Sequence, residues 1–162
     1  MSAPTPESTP HAPVRIAHLA SLQPRVGEHL ATSGWVLVDQ DRIDLFAQAT
    51  GDHQWIHTDP VRAGAGPYGT TIAHGFLTLS LLPELLHNAL TIEDVRMSVN
   101  YGLNKVRFPA PVPAGSRVRA KIALAAYEPI AGGAQLTLQV TVEREGGDKP
   151  VCVAEPVSRR YT

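Results

Sequence analysis

The sequence contains little cysteine, no long apolar run and no excess of charge of either sign. The apolar neighbours of its single cysteine, Cys152, predict a buried thiol, and this residue cannot form a disulfide within the chain. No stretch approaches the roughly 18 apolar residues of a membrane span. Fourteen basic and fifteen acidic residues leave a net charge of −1, which excludes an overall attraction to nucleic acid or to an anionic membrane. We therefore expect a cytoplasmic protein that binds a small ligand.

The first 13 residues differ in composition from the rest of the chain. They are rich in Pro, Ser and Thr, and they lack the basic start and apolar stretch of a signal peptide. This composition predicts a disordered N-terminal tail over residues 1–13. Residues 14–162 have the length of one domain built around one hydrophobic core.

Helix signals occupy the first half of this domain. A strand is predicted over residues 30–39, and a helix that Asp39 or Asp41 caps follows it and ends at Gly51. Residues 75–87 are apolar on nearly every face of a helical wheel, which is typical of a buried helix. Pro83 predicts a kink there, or a second helix that begins near residue 82.

The apolar pattern changes to a period of two from residue 95 onward. Strands are predicted over residues 95–108, with an interruption at Gly102, and over residues 116–128, 136–143 and 151–159. Strands that follow helices in this order indicate an α+β fold, with a helix packed on a curled antiparallel sheet.

An acid and a histidine lie close together after the first helix. A loop can turn Asp52 and His57 toward one point, where they would form a general acid/base pair. The backbone N–H of Gly75, at the start of the apolar helix, is a candidate donor to a developing oxyanion. Alternatively, Asp52 caps backbone amides and His57 is a packed core residue. A metal site that includes His53 is disfavoured by the irregular segment.

Glycines 64, 66 and 69 match the letters of a dinucleotide-binding loop. No strand precedes them and Pro67 lies among them, so we interpret residues 64–69 as a flexible loop beside the site.

Two separated motifs resemble the MaoC-like dehydratases and the (R)-specific enoyl-CoA hydratases. Residues 46–60 and 72–77 are similar to the hydratase motif of that family, and residues 100–112 are similar to its sheet segment. The resemblance covers the chain from about residue 30. It implies a single hot-dog domain, in which a curled antiparallel β-sheet wraps around a long central α-helix, and a homodimer. It places Asp52, His57 and the Gly75 N–H in the catalytic positions.

The resemblance also implies an activity. The family adds water reversibly to trans-2-enoyl thioesters, giving (R)-3-hydroxyacyl thioesters, so a hydro-lyase of fatty-acid metabolism is expected. It needs no metal and no cofactor beyond the coenzyme A or acyl-carrier pantetheine of the substrate. We predict further substrate contacts at five side chains: Trp55, Tyr68, His74, Lys105 and Arg107. Arg117, Arg119 and Lys121 are alternative phosphate contacts, although a solvated strand face is the simpler interpretation.

This sequence departs from the family pattern at two places. Gln54-Trp55 replaces the usual Asn-Pro between the acid and the histidine, and Pro83 stands where many members have a serine, with Ser80 one turn earlier. Two other functions therefore stay open: a hot-dog acyl thioesterase, and a non-catalytic subunit that binds acyl chains or a partner.

Overall fold

The computed structural model describes residues 11–162, so the greater part of the predicted tail lies outside the described residues. The helices of this part are α1 (Gln40–Thr50), α2 (Trp55–Thr58), α3 (Pro60–Gly64), α4 (Gly75–Ser80) and α5 (Leu82–Ala89), with a 3₁₀ helix at Leu19–Arg25. The strands are β1 (Val14–Ile16), β2 (His29–Thr32), β3 (Val36–Val38), β4 (Leu90–Ile92), β5 (Met97–Arg107), β6 (Ser116–Ile130), β7 (Gly133–Arg144) and β8 (Pro150–Tyr161). The predicted α+β class is confirmed.

One antiparallel sheet forms most of the molecule. Its order is β2-β6-β7-β8-β5, with β3 pairing beside β2 along β6. The alternation in β6 is as predicted: Val118, Ala120, Ile122 and Leu124 are fully buried. A separate parallel pair joins β1 to β4, which lie 74 residues or more apart in the chain. A sequence-local pattern carries no information about such a pairing.

The prediction of one continuous strand over residues 30–39 was wrong. The chain pairs with β6 at Thr32 opposite Lys121 and again at Val36 opposite Val118. Thr32 and Val36 are four residues apart, whereas their partners on β6 are three residues apart. The extra residue is accommodated by a bulge-like break. There the Ser33 hydroxyl accepts a hydrogen bond from Ala120 N–H at 2.8 Å, which interrupts regular pairing.

The predicted helix before the acid is confirmed at both ends. Asp39 is its N-cap, because its carboxylate accepts a hydrogen bond from Arg42 N–H at 2.9 Å. Gly51 ends α1 with a φ of 81°, a left-handed conformation that glycine adopts without steric cost. The next residue in the chain is Asp52, which α1 therefore delivers to the site.

Helices α4 and α5 together form the central helix, and they pack against the sheet at β8 and β6. They meet at Leu81, and Pro83 lies in the first turn of α5, where its missing N–H does least harm. The predicted break in the apolar helix is confirmed. Leu85 is fully buried and Leu77, Leu81 and Leu82 nearly so. Among the described residues, no helix is long and apolar enough to cross a membrane.

Candidate active site

Asp52 lies on an exposed turn directly after α1. Its carboxylate accepts a weak hydrogen bond, 3.4 Å long, from the N–H of Gln54, while its main-chain carbonyl accepts a bond from the ring of His74. The carboxylate therefore caps one backbone amide, as the structural alternative for this residue predicted, through a weak bond that leaves it available for other contacts. It is held at the mouth of a pocket with its oxygens accessible to solvent.

His57 lies in α2, a single turn of helix, where the sequence predicted a loop. Its side chain is buried, and Nδ1 lies 2.7 Å from the carbonyl oxygen of Ile72. A carbonyl can only accept, so Nδ1 carries the proton and Nε2 keeps a free lone pair. His57 is packed, as the core interpretation predicted, and its Nε2 keeps the lone pair that the catalytic interpretation needs.

His74 brings the two residues into one unit. Its ring stacks on that of His57 with centroids 3.9 Å apart and planes 25° apart, and the ring of Phe46 lies against its other side at 4.9 Å. Its Nε2 donates to the carbonyl oxygen of Asp52 at 2.9 Å. One ring nitrogen of each histidine and a carboxylate oxygen of Asp52 all lie within 4.8 Å of one another.

A pocket of about 480 Å³ opens beside this trio. Its walls are Phe46, Thr50, Asp52, His57, His74, Gly75, Phe76 and Phe108. Gly75 is the first residue of α4, so the helix itself offers no acceptor for its N–H. A Cβ at this position would come within 2.9 Å of the Phe108 ring. Close packing of Phe108 therefore requires a glycine at position 75.

Burial sets the protonation state of His57. Removal of the imidazole from water lowers the pKa of His57 below its ordinary value of 6.5. The hydrogen bond to Ile72 opposes this, the facing ring of His74 lowers the pKa further, and the carboxylate of Asp52 raises it. The net direction is downward, so His57 is neutral at physiological pH and its Nε2 can accept a proton.

Asp52, His57 and His74 form the one group within residues 11–162 that could offer three ligands to a metal ion. His53, the third member of the metal site weighed from the sequence, is not in it. The stacked rings oppose shared ligation, because an imidazole lone pair lies in its ring plane and two nearly parallel planes do not converge on one ion. The arrangement suits a water molecule or a substrate oxygen better than a metal.

The remaining predicted substrate contacts lie outside the pocket of a single chain. Trp55 packs beneath Arg62, whose guanidinium carbon is 4.4 Å from the ring centre, and Tyr68 is half exposed. Lys105 and Arg107 are exposed on β5, immediately before the pocket residue Phe108. The roles of these four residues stay predictions.

The alternative phosphate contacts on β6 are paired with acids. Arg117 forms an ion pair with Glu145, and Arg119 and Lys121 share Glu143. Cys152 is fully buried, and burial raises the pKa of its thiol to about 11, which leaves it inert as predicted from the sequence.

Two residues that support the site gave no signal in the sequence. Gln40, at the start of α1, donates from Nε2 to the carbonyl oxygen of His57 at 2.8 Å and accepts from the hydroxyl of Thr71. It thereby joins α1, α2 and the segment that leads to His74. A polar residue in the first turn of a helix is common, so only the contacts of Gln40 with residues distant in the chain reveal its role.

The sheet wrapped around α4 and α5, with Asp52 and His57 in a pocket that also includes the start of α4, is typical of a hot-dog dehydratase. A family model described as MaoC like domain matches residues 21–147. The chain belongs to this family of MaoC-like dehydratases, and it is an enzyme of the hydro-lyase class.

Individual relatives agree with this assignment. The chain is 57% identical over 142 residues to 3-hydroxyacyl-thioester dehydratase Z of Mycobacterium tuberculosis, covering 87% of this chain and 94% of that protein. It is 47% identical to nodulation protein N of Rhizobium leguminosarum bv. viciae, covering 84% and 86% of the two chains. The fold matches the (R)-hydratase from A. caviae involved in PHA biosynthesis with a TM-score of 0.66 at 24% identity, covering 82% and 94%.

Proposed function

We propose that this protein adds water reversibly to trans-2-enoyl thioesters and forms (R)-3-hydroxyacyl thioesters. The observation that carries the proposal is that a carboxylate oxygen of Asp52 and a ring nitrogen of His57 lie within 4.8 Å of each other, in one pocket that Gly75 at the start of α4 also lines. The 3-hydroxyacyl-thioester dehydratase of M. tuberculosis supports the substrate class. The R configuration is supported by the family resemblance.

The two acceptor groups suit the handling of one water molecule. A water bound between Asp52 and His57 Nε2 can be deprotonated by the pair as its oxygen attacks C3 of the substrate. The pair then returns a proton to C2, so that the site regains its original charge. General acid/base catalysis of this kind contributes a factor of about 10² to 10⁴.

The negative charge that develops on the thioester oxygen needs a donor. We assign donation of a hydrogen bond to this oxygen to the Gly75 N–H, because Gly75 begins α4 and borders the same pocket. Removing such a donor typically costs a factor of about 10² to 10³ in rate. Helix α4 has six residues, so we assign the stabilisation to this hydrogen bond and not to a long helix dipole.

The proposal also covers the binding of the pantetheine tail of the substrate, the oligomeric state and the cellular location. Lys105 and Arg107 are placed beside the pocket residue Phe108 and carry the charge that the phosphates of a pantetheine tail need. The edge strand β5 supports a homodimer, since among the described residues it pairs only with β8 and it exposes Met97, Val99 and Tyr101. The cytoplasmic location expected from the sequence belongs to the proposal as well.

The test is hydration of crotonyl-CoA, followed by loss of the ultraviolet absorbance of the conjugated thioester. Asp52→Asn and His57→Gln each remove one acceptor, so we expect each folded variant to lose at least about 100-fold in kcat/KM. His53→Gln is the matched control, because His53 is an exposed histidine on the same turn, and this variant should retain wild-type rates.

The products separate the three functions. A hydratase gives 3-hydroxybutyryl-CoA without free thiol, and chiral analysis should give the R isomer. Free coenzyme A would show a thioesterase instead. Absence of turnover with short and long enoyl chains, together with retained binding, would favour the non-catalytic subunit.

A further inference from the structure

His74 makes two contacts with the pair that we propose to bind the water. It hydrogen-bonds the main chain of Asp52 and stacks on the ring of His57. We propose that His74 is a positioning residue, which holds the carboxylate and the imidazole in register and touches neither the water nor the thioester carbonyl. This inference rests on the proposed function, and it gives His74 the task of fixing the relative position of Asp52 and His57 in that site.

The hydrogen bonds of the two histidines fix complementary tautomers. The Asp52 carbonyl can only accept, so His74 carries its proton on Nε2, whereas His57 carries its proton on Nδ1 toward the carbonyl of Ile72. His57 is left with Nε2 as its acceptor nitrogen. A protein carbonyl behind each ring prevents a flip that would exchange donor and acceptor.

An apolar ring would satisfy packing at this position better than histidine does. The side chain of His74 is 2% exposed, and its Nδ1 is buried without a hydrogen-bond partner among the described residues. A buried acceptor without a partner destabilises a fold. The cost is offset by what a phenylalanine would lack, namely the Nε2–H that holds Asp52.

The stack also acts on the charge of His57. The titratable groups that face His57 are Asp52, from its own turn, and His74, from the start of α4. Two imidazolium rings with centroids 3.9 Å apart would repel each other strongly in a buried site. The stacked pair therefore favours a neutral His57, as a proton acceptor requires.

Two substitutions separate the hydrogen bond of His74 to Asp52 from the effect of its imidazole on His57. His74→Phe retains an aromatic ring against His57 but removes the donor to Asp52, so we expect kcat to fall by about fivefold with KM little changed. His74→Gln can retain a donor near the position of Nε2 but removes the ring. Both variants lack the facing imidazole, so in both the pKa of His57 rises and the acid limb of the kcat/KM profile should move to higher pH, whereas only His74→Phe also loses the donor to Asp52.

His53→Gln should reproduce the wild-type rate and pH profile. If both His74 variants have only lower thermal stability, with the kcat and pH profile of the wild type in their folded fraction, His74 is structural and the proposal is overturned.

A measurement on the wild type does not depend on the folding of any variant. Nitrogen-15 NMR of the imidazoles should show Nδ1–H in His57 and Nε2–H in His74, with signals assigned through His57→Gln. The reverse tautomer in either ring would overturn the proposal. If the wild type hydrates no thioester, the proposed function fails separately, and the NMR titration of His57 in wild type and His74→Gln still decides whether His74 controls His57.

Discussion

At the scale of single residues, His57 couples the stability of the protein to pH. It is neutral in the folded chain because burial disfavours its charged form, whereas in the unfolded chain it titrates near 6.5. Below that pH the unfolded state therefore binds more protons than the folded state. A group with this difference stabilises the fold fully above the unfolded pKa and progressively less as the pH falls toward the folded pKa.

We expect the free energy of unfolding to decrease as the pH falls from about 7.5 to about 5, and to decrease less steeply in His57→Gln. Urea unfolding at a series of pH values measures both slopes. His53→Gln, which replaces an exposed histidine, should keep the wild-type slope. Equal slopes in wild type and His57→Gln would show that burial of this imidazole does not control the pH dependence.

At the scale of elements, α1 is the support for the acid. Its start depends on one side chain, since the Asp39 carboxylate accepts from Arg42 N–H, and its end depends on the left-handed Gly51. Both signals act over three or four residues. That is why the bounds of α1, and equally the break before Pro83, could be predicted from the sequence alone.

Replacing the cap tests this dependence. Asp39→Ala should lower the free energy of unfolding by about 1 kcal/mol, because an orphan N–H at the helix start loses its acceptor. Asp39→Asn should restore most of it, since asparagine is an equally good cap. Asp41→Ala, which removes an exposed acid of the same turn, is the control. Denaturation curves in which Asp39→Ala and Asp41→Ala coincide would refute the capping role.

At the scale of the whole molecule, the free edge of the sheet stands out. Strand β5 has eleven residues, pairs within residues 11–162 only with β8, and exposes apolar side chains. A long apolar edge is a template for pairing with another chain. Its position next to the pocket residue Phe108 links any such pairing to the site.

Charge on this edge should oppose assembly. We predict that the wild type has twice the mass of one chain in light scattering, and that Val99→Lys shifts it toward the monomer. Val61→Lys introduces the same charge on α3, where the valine is 87% exposed, and should leave the dimer intact. A monomeric wild type would refute the homodimer, and a dimer unaffected by Val99→Lys would place its interface elsewhere.

The sequence by itself determined the bounds of α1, the break before Pro83, the alternation of the long strands and the choice of Asp52 and His57 as candidate catalytic side chains. Caps, proline breaks and apolar periods act between near neighbours, so the pattern of one segment is often sufficient to predict its structure. Asp52 and His57 are only five positions apart, so their pairing could also be proposed from the sequence. The tertiary structure decided what lies around them. The stack of His74 on His57 and the Ile72 carbonyl that sets its tautomer join residues 15 or more positions apart. Such contacts depend on how helix and sheet pack together, which no local pattern specifies.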